Sequence, residues 1–76
     1  MKTIPITQQK EGFRGKVIRF SDDLIAGKLM AMGVLPGSEI EIVKIAPFKG
    51  GFYLKTDGNN MAVRYDEAAS ILTDVK

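Results

Sequence analysis

The sequence contains no cysteine and no histidine. Without cysteine there is no disulfide and no thiolate metal site. Without histidine the usual general base and the commonest transition-metal ligand are both missing. Any bound metal would have to be a hard cation held by carboxylates, carbonyls and water. Long apolar runs are also absent, and the longest falls far short of the ~20 residues that span a bilayer. The start, Met1-Lys2-Thr3-Ile4-Pro5-Ile6, lacks the apolar core and small-residue cleavage site of a secretory signal. Excess charge of one sign is small: eleven Lys and Arg oppose nine Asp and Glu, a net charge of +2. These absences lead to the expectation of a soluble cytoplasmic protein without a cofactor.

What is present is enough for one small fold. The 76 residues, 45% of them hydrophobic, are read as a single domain over 1–76 with one core. Cores of this size rarely supply more than roughly 3–5 kcal/mol of net stability. Residues 1–12 are polar and are read as extended or turning. Phe13, Gly15 and Val17 alternate with Arg14 and Lys16, which is the period of a half-buried strand. Beyond Val17 both faces turn apolar through Ile18 and Phe20, as in a strand that enters a small barrel.

Ser21-Asp22-Asp23 reads as a helix start, with Ser21 as the cap and two carboxylates near the positive end of the dipole. Leu24, Ile25, Leu29 and Met32 fall in one arc at helical spacing, and Met30 points nearly opposite. Gly33 suits the left-handed position after the helix, and Pro36-Gly37 suits the centre of a type II turn. A strand over 39–45 follows, with Ile40 and Ile42 on one face and Val43 and Ile45 on the other. That switch predicts a bulge. Ala46 to Gly51 is a loop, 52–56 a strand, Asp57-Gly58-Asn59-Asn60 a tight turn and 61–65 the returning strand. Asp66 is expected to cap one turn over 67–70, and 71–75 to close as a final strand. About five short strands and one helix predict a mainly β fold, a small SH3-like, partly open barrel.

Lys28-Leu29-x-x-Met32-Gly33-Val34-Leu35-Pro36-Gly37, the alternating strand ending Ala46-Pro47-Phe48, and Ala62-Val63-Arg64 with its acidic turn resemble the ferrous iron transport protein A (FeoA) family. The resemblance covers roughly residues 12–75. It implies an SH3-like barrel acting as a small cytoplasmic accessory protein of ferrous iron transport. The implied partner is ferrous iron transport protein B, a membrane transporter with a cytoplasmic GTP-binding domain. One departure is the loop after Pro47, which in the family often continues with a Gly-Asp-Pro-like turn and here reads Phe48-Lys49-Gly50-Gly51. A similar domain ends the iron-dependent transcriptional repressors, beside a helix-turn-helix region for which this chain has no room.

Chemistry for catalysis is not in the pattern. Asp22-Asp23 and Asp66-Glu67 are the paired acids, and helix starts account for both. Lys49-Gly50-Gly51 lies between strands rather than entering a helix, so it does not read as a phosphate loop. An enzyme is therefore not expected, nor a metal site. The remaining reading is a protein-binding surface, with Met30, Leu35, Pro36, Pro47 and Phe48 as its candidates and Tyr53 beside them. Arg14, Lys16 and Arg19 support an alternative, an RNA- or ribosome-associated module, although a solvated strand face is the plainer reading. Self-association through a strand edge or the apolar patch is a third.

Overall fold

In the computed structural model, which describes residues 2–74, six antiparallel strands form one curled sheet: β1 (Thr3–Pro5), β2 (Arg14–Phe20), β3 (Glu39–Ala46), β4 (Gly51–Thr56), β5 (Asn59–Val63) and β6 (Ile71–Asp74). Helix α1 (Asp23–Ala31) joins β2 to β3, and the short α2 (Tyr65–Ala69) joins β5 to β6. The strand order is β1-β6-β2-β3-β4-β5. This is the expected mainly β architecture, with one strand more than the sequence suggested.

The curl originates in β2. Its first half, Arg14 to Lys16, pairs with Glu41 to Glu39 of β3. From Val17 onward it pairs with β6 instead, and the register shifts between Val17 and Arg19. An extra residue in one strand bends it and steepens its twist, so β2 leaves one half of the sheet and enters the other. The apolar Ile18 and Phe20, which broke the alternation, are half-buried beyond that shift. A second shift lies in β3 between Ile42 and Lys44, at the place where the pattern changed face. The core fills the concave side with Val17, Leu29, Ile40, Ile42, Leu54 and Ile71, each at most 2% exposed. Burying a side chain of this kind contributes about 1.5–3 kcal/mol.

The first twelve residues extend and turn, as expected: β1 pairs with β6, and a 3-10 turn over Ile6–Gln8 drives Ile6 fully into the core. Four other expectations need correction. The helix cap is Asp22, not Ser21. Its Oδ1 accepts from the backbone N–H groups of Leu24 and Ile25 at 2.9 and 3.1 Å. Ser21 instead donates its backbone N–H to the Ser70 carbonyl. Leu24 is 89% exposed, while Ala26 and Leu29 are the buried residues of α1. Ile25, beside Leu24 in the first turn, does pack against the core, so the buried stripe is centred on Ala26 and Leu29 and Leu24 falls at its margin. Finally, the turn after β4 needs only Asp57 and Gly58, both at positive φ. Asn59 and Asn60 already belong to β5, which ends at Val63 because α2 begins at Tyr65. The expected cap at Asp66 is replaced by the Glu67 carboxylate, which accepts from the Arg64 N–H at 2.9 Å. Residue 75, expected in the last strand, lies outside the described residues.

Candidate docking site

Leu35 and Pro36 are held out of the core by two consecutive backbone devices. Gly33, at φ +100°, ends α1 in a left-handed cap. The Val34 N–H donates to the Leu29 carbonyl at 2.9 Å and the Gly33 N–H to that of Met30 at 3.0 Å, closing the helix and sinking Val34 into the core. The Ser38 N–H then donates to the Leu35 carbonyl at 3.0 Å, closing the expected turn around Pro36-Gly37. The turn is tied to β2, since the Val17 carbonyl accepts from Gly37 and the Val17 N–H donates to Ser38. Leu35 and Pro36 face outward, with Met30 partly exposed on α1.

Pro47 and Phe48 occupy the tip between β3 and β4. The Gly50 N–H donates to the Pro47 carbonyl at 3.1 Å, and the two residues between them, Phe48 and Lys49, have φ of +58° and +56°. This is the pattern of a type I′ turn, which favours Asn and Gly. An aromatic residue there costs conformational energy, about 1–3 kcal/mol for a left-handed non-glycine. The side chain recovers nothing from the core, because Phe48 is 99% exposed. Lys49 steadies the tip by placing its ammonium 5.4 Å from the centroid of the Tyr65 ring.

The five candidates therefore do not form one patch. Leu35 and Pro36 precede β3 and Pro47 and Phe48 follow it, so the whole eight-residue strand separates them. The sequence missed a third apolar surface, a shallow groove on the outer face of β3, β4 and β5. It is lined by Val43, Tyr53 and Ala62 with Lys44 and Asn60, and Met61 borders it while packing against the core. Tyr53 lies directly opposite Lys44 on one side and Ala62 on the other. Its signals in the sequence were Tyr53, read as an apolar residue beside the candidates, and the bulge that turns Val43 outward; the remaining neighbours became visible only with the strand register.

Two of the three basic residues, Arg14 and Lys16, are balanced by acids, while Arg19 lies opposite Leu72 of β6. Arg14 faces Glu41 across the strands, with its Nε 3.4 Å from the Glu41 carboxylate, and Lys16 faces Glu39. Lys55, Asp57 and Asp74 line the same depression. A face of mixed sign attracts a phosphate backbone weakly, which argues against the RNA reading. The paired acids are structural. Asp22 caps α1, Asp66 accepts from the Glu67 N–H, and Glu67 pairs with Lys28 of α1. No group of three metal-ligating side chains gathers among the described residues, and no helix among them is long and apolar enough to cross a membrane.

Glu67 makes stability depend on pH. Its pKa is held below the ordinary value of 4.5 by the Lys28 ammonium and the Arg64 N–H, against the opposing effect of burial. A carboxyl depressed in the fold contributes stability that is fully present above its unfolded value. That contribution is lost as pH falls through the lower folded value. Thermal melts between pH 7 and 3 should therefore fall more steeply on the acid side for the native protein than for Glu67→Gln. Equal slopes would show that the pair with Lys28 adds nothing.

Comparison with known proteins adds independent findings. The FeoA domain model matches residues 4–75. The solution structure of a FeoA-like protein from Clostridium acetobutylicum superposes with a TM-score of 0.88 at 30% identity, covering 99% of this chain and 88% of that one. A crystal structure described as an iron uptake regulatory protein (FeoA) gives 0.80 at 20% identity, with 96% of each chain covered. A manganese-dependent transcriptional repressor in complex with manganese gives 0.88 at 18% identity, where 96% of this chain matches 36% of that one. Likeness at those lower identities speaks for the fold alone. No curated protein sequence matches significantly.

Proposed function

The chain belongs to the FeoA domain family, and from that membership we propose that it is a non-enzymatic regulatory subunit of a bacterial ferrous iron uptake system. It works in the cytoplasm and reaches the membrane only through its partner. That partner is the membrane iron transporter, ferrous iron transport protein B, contacted on its cytoplasmic GTP-binding part. Docking would favour one conformation of that part by binding it more tightly than the other.

The observation that carries this reading is Phe48: an aromatic side chain fully exposed at the tip of a turn whose backbone it suits poorly. Local strain without local benefit is retained at contact surfaces, and aromatic anchors carry much of the energy of interfaces. Pro47 stiffens the approach to the tip. Met30, Leu35 and Pro36, at the far end of β3, form a separate second contact.

Because the two ends are separated, single variants test them one at a time. Binding of the purified protein to detergent-solubilised transporter is expected to weaken about 30-fold for Phe48→Asp, the loss of one interface hot spot. Leu35→Asp is expected to weaken it severalfold. Circular dichroism should be unchanged in both, since both side chains face solvent. Full-strength binding by Phe48→Asp would overturn the assignment of the tip.

A further inference from the structure

We propose that the free edge of β5 pairs with the same edge of a second copy of this chain, in antiparallel register centred on Met61. The sheet has two outer edges, and they are built differently. The β1 edge is guarded: the strand is three residues long, ends in Pro5, and turns at once into a 3-10 helix. The β5 edge has none of these guards. Asn59-Asn60-Met61-Ala62-Val63 carries no charge and no proline, and it pairs along its whole length with β4 alone. Among the described residues, no backbone hydrogen bond outside the β4 ladder is made by residues 59–63. Such an edge is a template for another strand, and natural edges of this kind are normally blunted.

Charge complementarity points to a second copy as the occupant. In the register centred on Met61, Asn59 of one copy faces Val63 of the other, and Asn60 faces Ala62. Asp57 lies two residues before the strand and Arg64 one residue after it, so each end of the pairing sets the Asp57 of one copy beside the Arg64 of the other. Both are exposed, and neither forms an ion pair among the described residues. No like charges meet along the outer face, where the row across the junction reads Tyr53, Ala62, Asn60, Lys55. The groove beside β5 gains a second wall from the partner sheet. A strand pairing of this size belongs among weak, transient interfaces.

Sedimentation equilibrium from about 10 μM to about 1 mM tests this, a range suited to weak pairing. The native chain is expected to pass from monomer to dimer and to go no further, because twofold pairing uses up the edge. Asn60→Glu with Ala62→Glu places like charges opposite each other across the junction and should hold the chain monomeric. Asn60→Lys with Ala62→Glu places opposite charges there and should keep the dimer. All these positions are exposed, and thermal melts will show that each variant folds. The chain has no cysteine of its own, which allows a register test. Mixed Asn60→Cys and Ala62→Cys proteins should oxidise to a linked dimer, with directly opposed Cα atoms about 4.5–5.5 Å apart. Each variant alone should link far more slowly. A native chain monomeric to about 1 mM, a like-charge variant that still dimerises, or equal linking within each single variant would overturn the proposal.

Discussion

Gly51→Ala is expected to abolish folding at ambient temperature. A Cβ on Gly51 would lie 2.7 Å from the Val63 carbonyl oxygen, and its φ of +134° is a conformation that L side chains rarely adopt. Neither conflict can relax cheaply. The oxygen belongs to backbone, and β4 is fixed between β3 and β5 on both sides. A left-handed non-glycine costs about 1–3 kcal/mol, and crowding a packed site costs about the same again. Their sum, about 4 kcal/mol, matches the whole net stability typical of a domain this small. Thermal circular dichroism provides the check. A variant melting within about 5 °C of the native protein would show that strand β5 can shift to admit the methyl group.

The second large effect is expected at Ile6. Its side chain is fully buried, and the 3-10 turn that carries it packs against α2 and β6. Truncating a buried isoleucine removes the transfer energy of three carbons and leaves a cavity, at about 2–5 kcal/mol. Ile6→Ala should therefore lower the urea midpoint by half or more. A loss of less than about 1 kcal/mol would mean that the surroundings collapse into the vacated space. The variant also measures how much the first eight residues contribute to the stability of the domain.

Which features were legible in the sequence follows from the range of the interactions that specify them. The end of α1 was legible because Gly33, Pro36 and Gly37 each enforce a local geometry, and the left-handed cap and the turn appear where expected. Both bulges left a trace, because a bulge changes which face a residue occupies and so breaks the alternation at Ile18 and Val43. β1 left no trace. Three residues are too few to show a period, and their partner β6 lies about seventy positions away in the chain. Leu24 misled for another reason: helical spacing shows which side chains share a broad arc, but not which part of that arc faces the barrel.

The candidate surface divides in the same way. Met30, Leu35 and Phe48 were recognisable as apolar residues that the core does not need, and all three are exposed. That they lie at opposite ends of β3 is a property of the sheet. The Val43–Tyr53–Ala62 groove depends on register, which no short stretch of sequence contains. The basic stretch around Arg14 and Lys16 looked like a stripe only because its acidic partners, Glu39 and Glu41, are distant in the chain and adjacent in the sheet.

The place of β6 bears on how the molecule is made. It is the last described strand to emerge during synthesis, yet it lies inside the sheet between β1 and β2. Until it arrives, β1 has no neighbour to pair with and the second half of β2 is unpaired. A chain that lacks β6 can assemble the β3–β4–β5 meander, whose pairings are local, but it cannot close the barrel. Completion of the fold therefore waits for residues 71–74. An interrupted chain would present unpaired edges of β2 to its neighbours and be a natural target for chaperones and proteases.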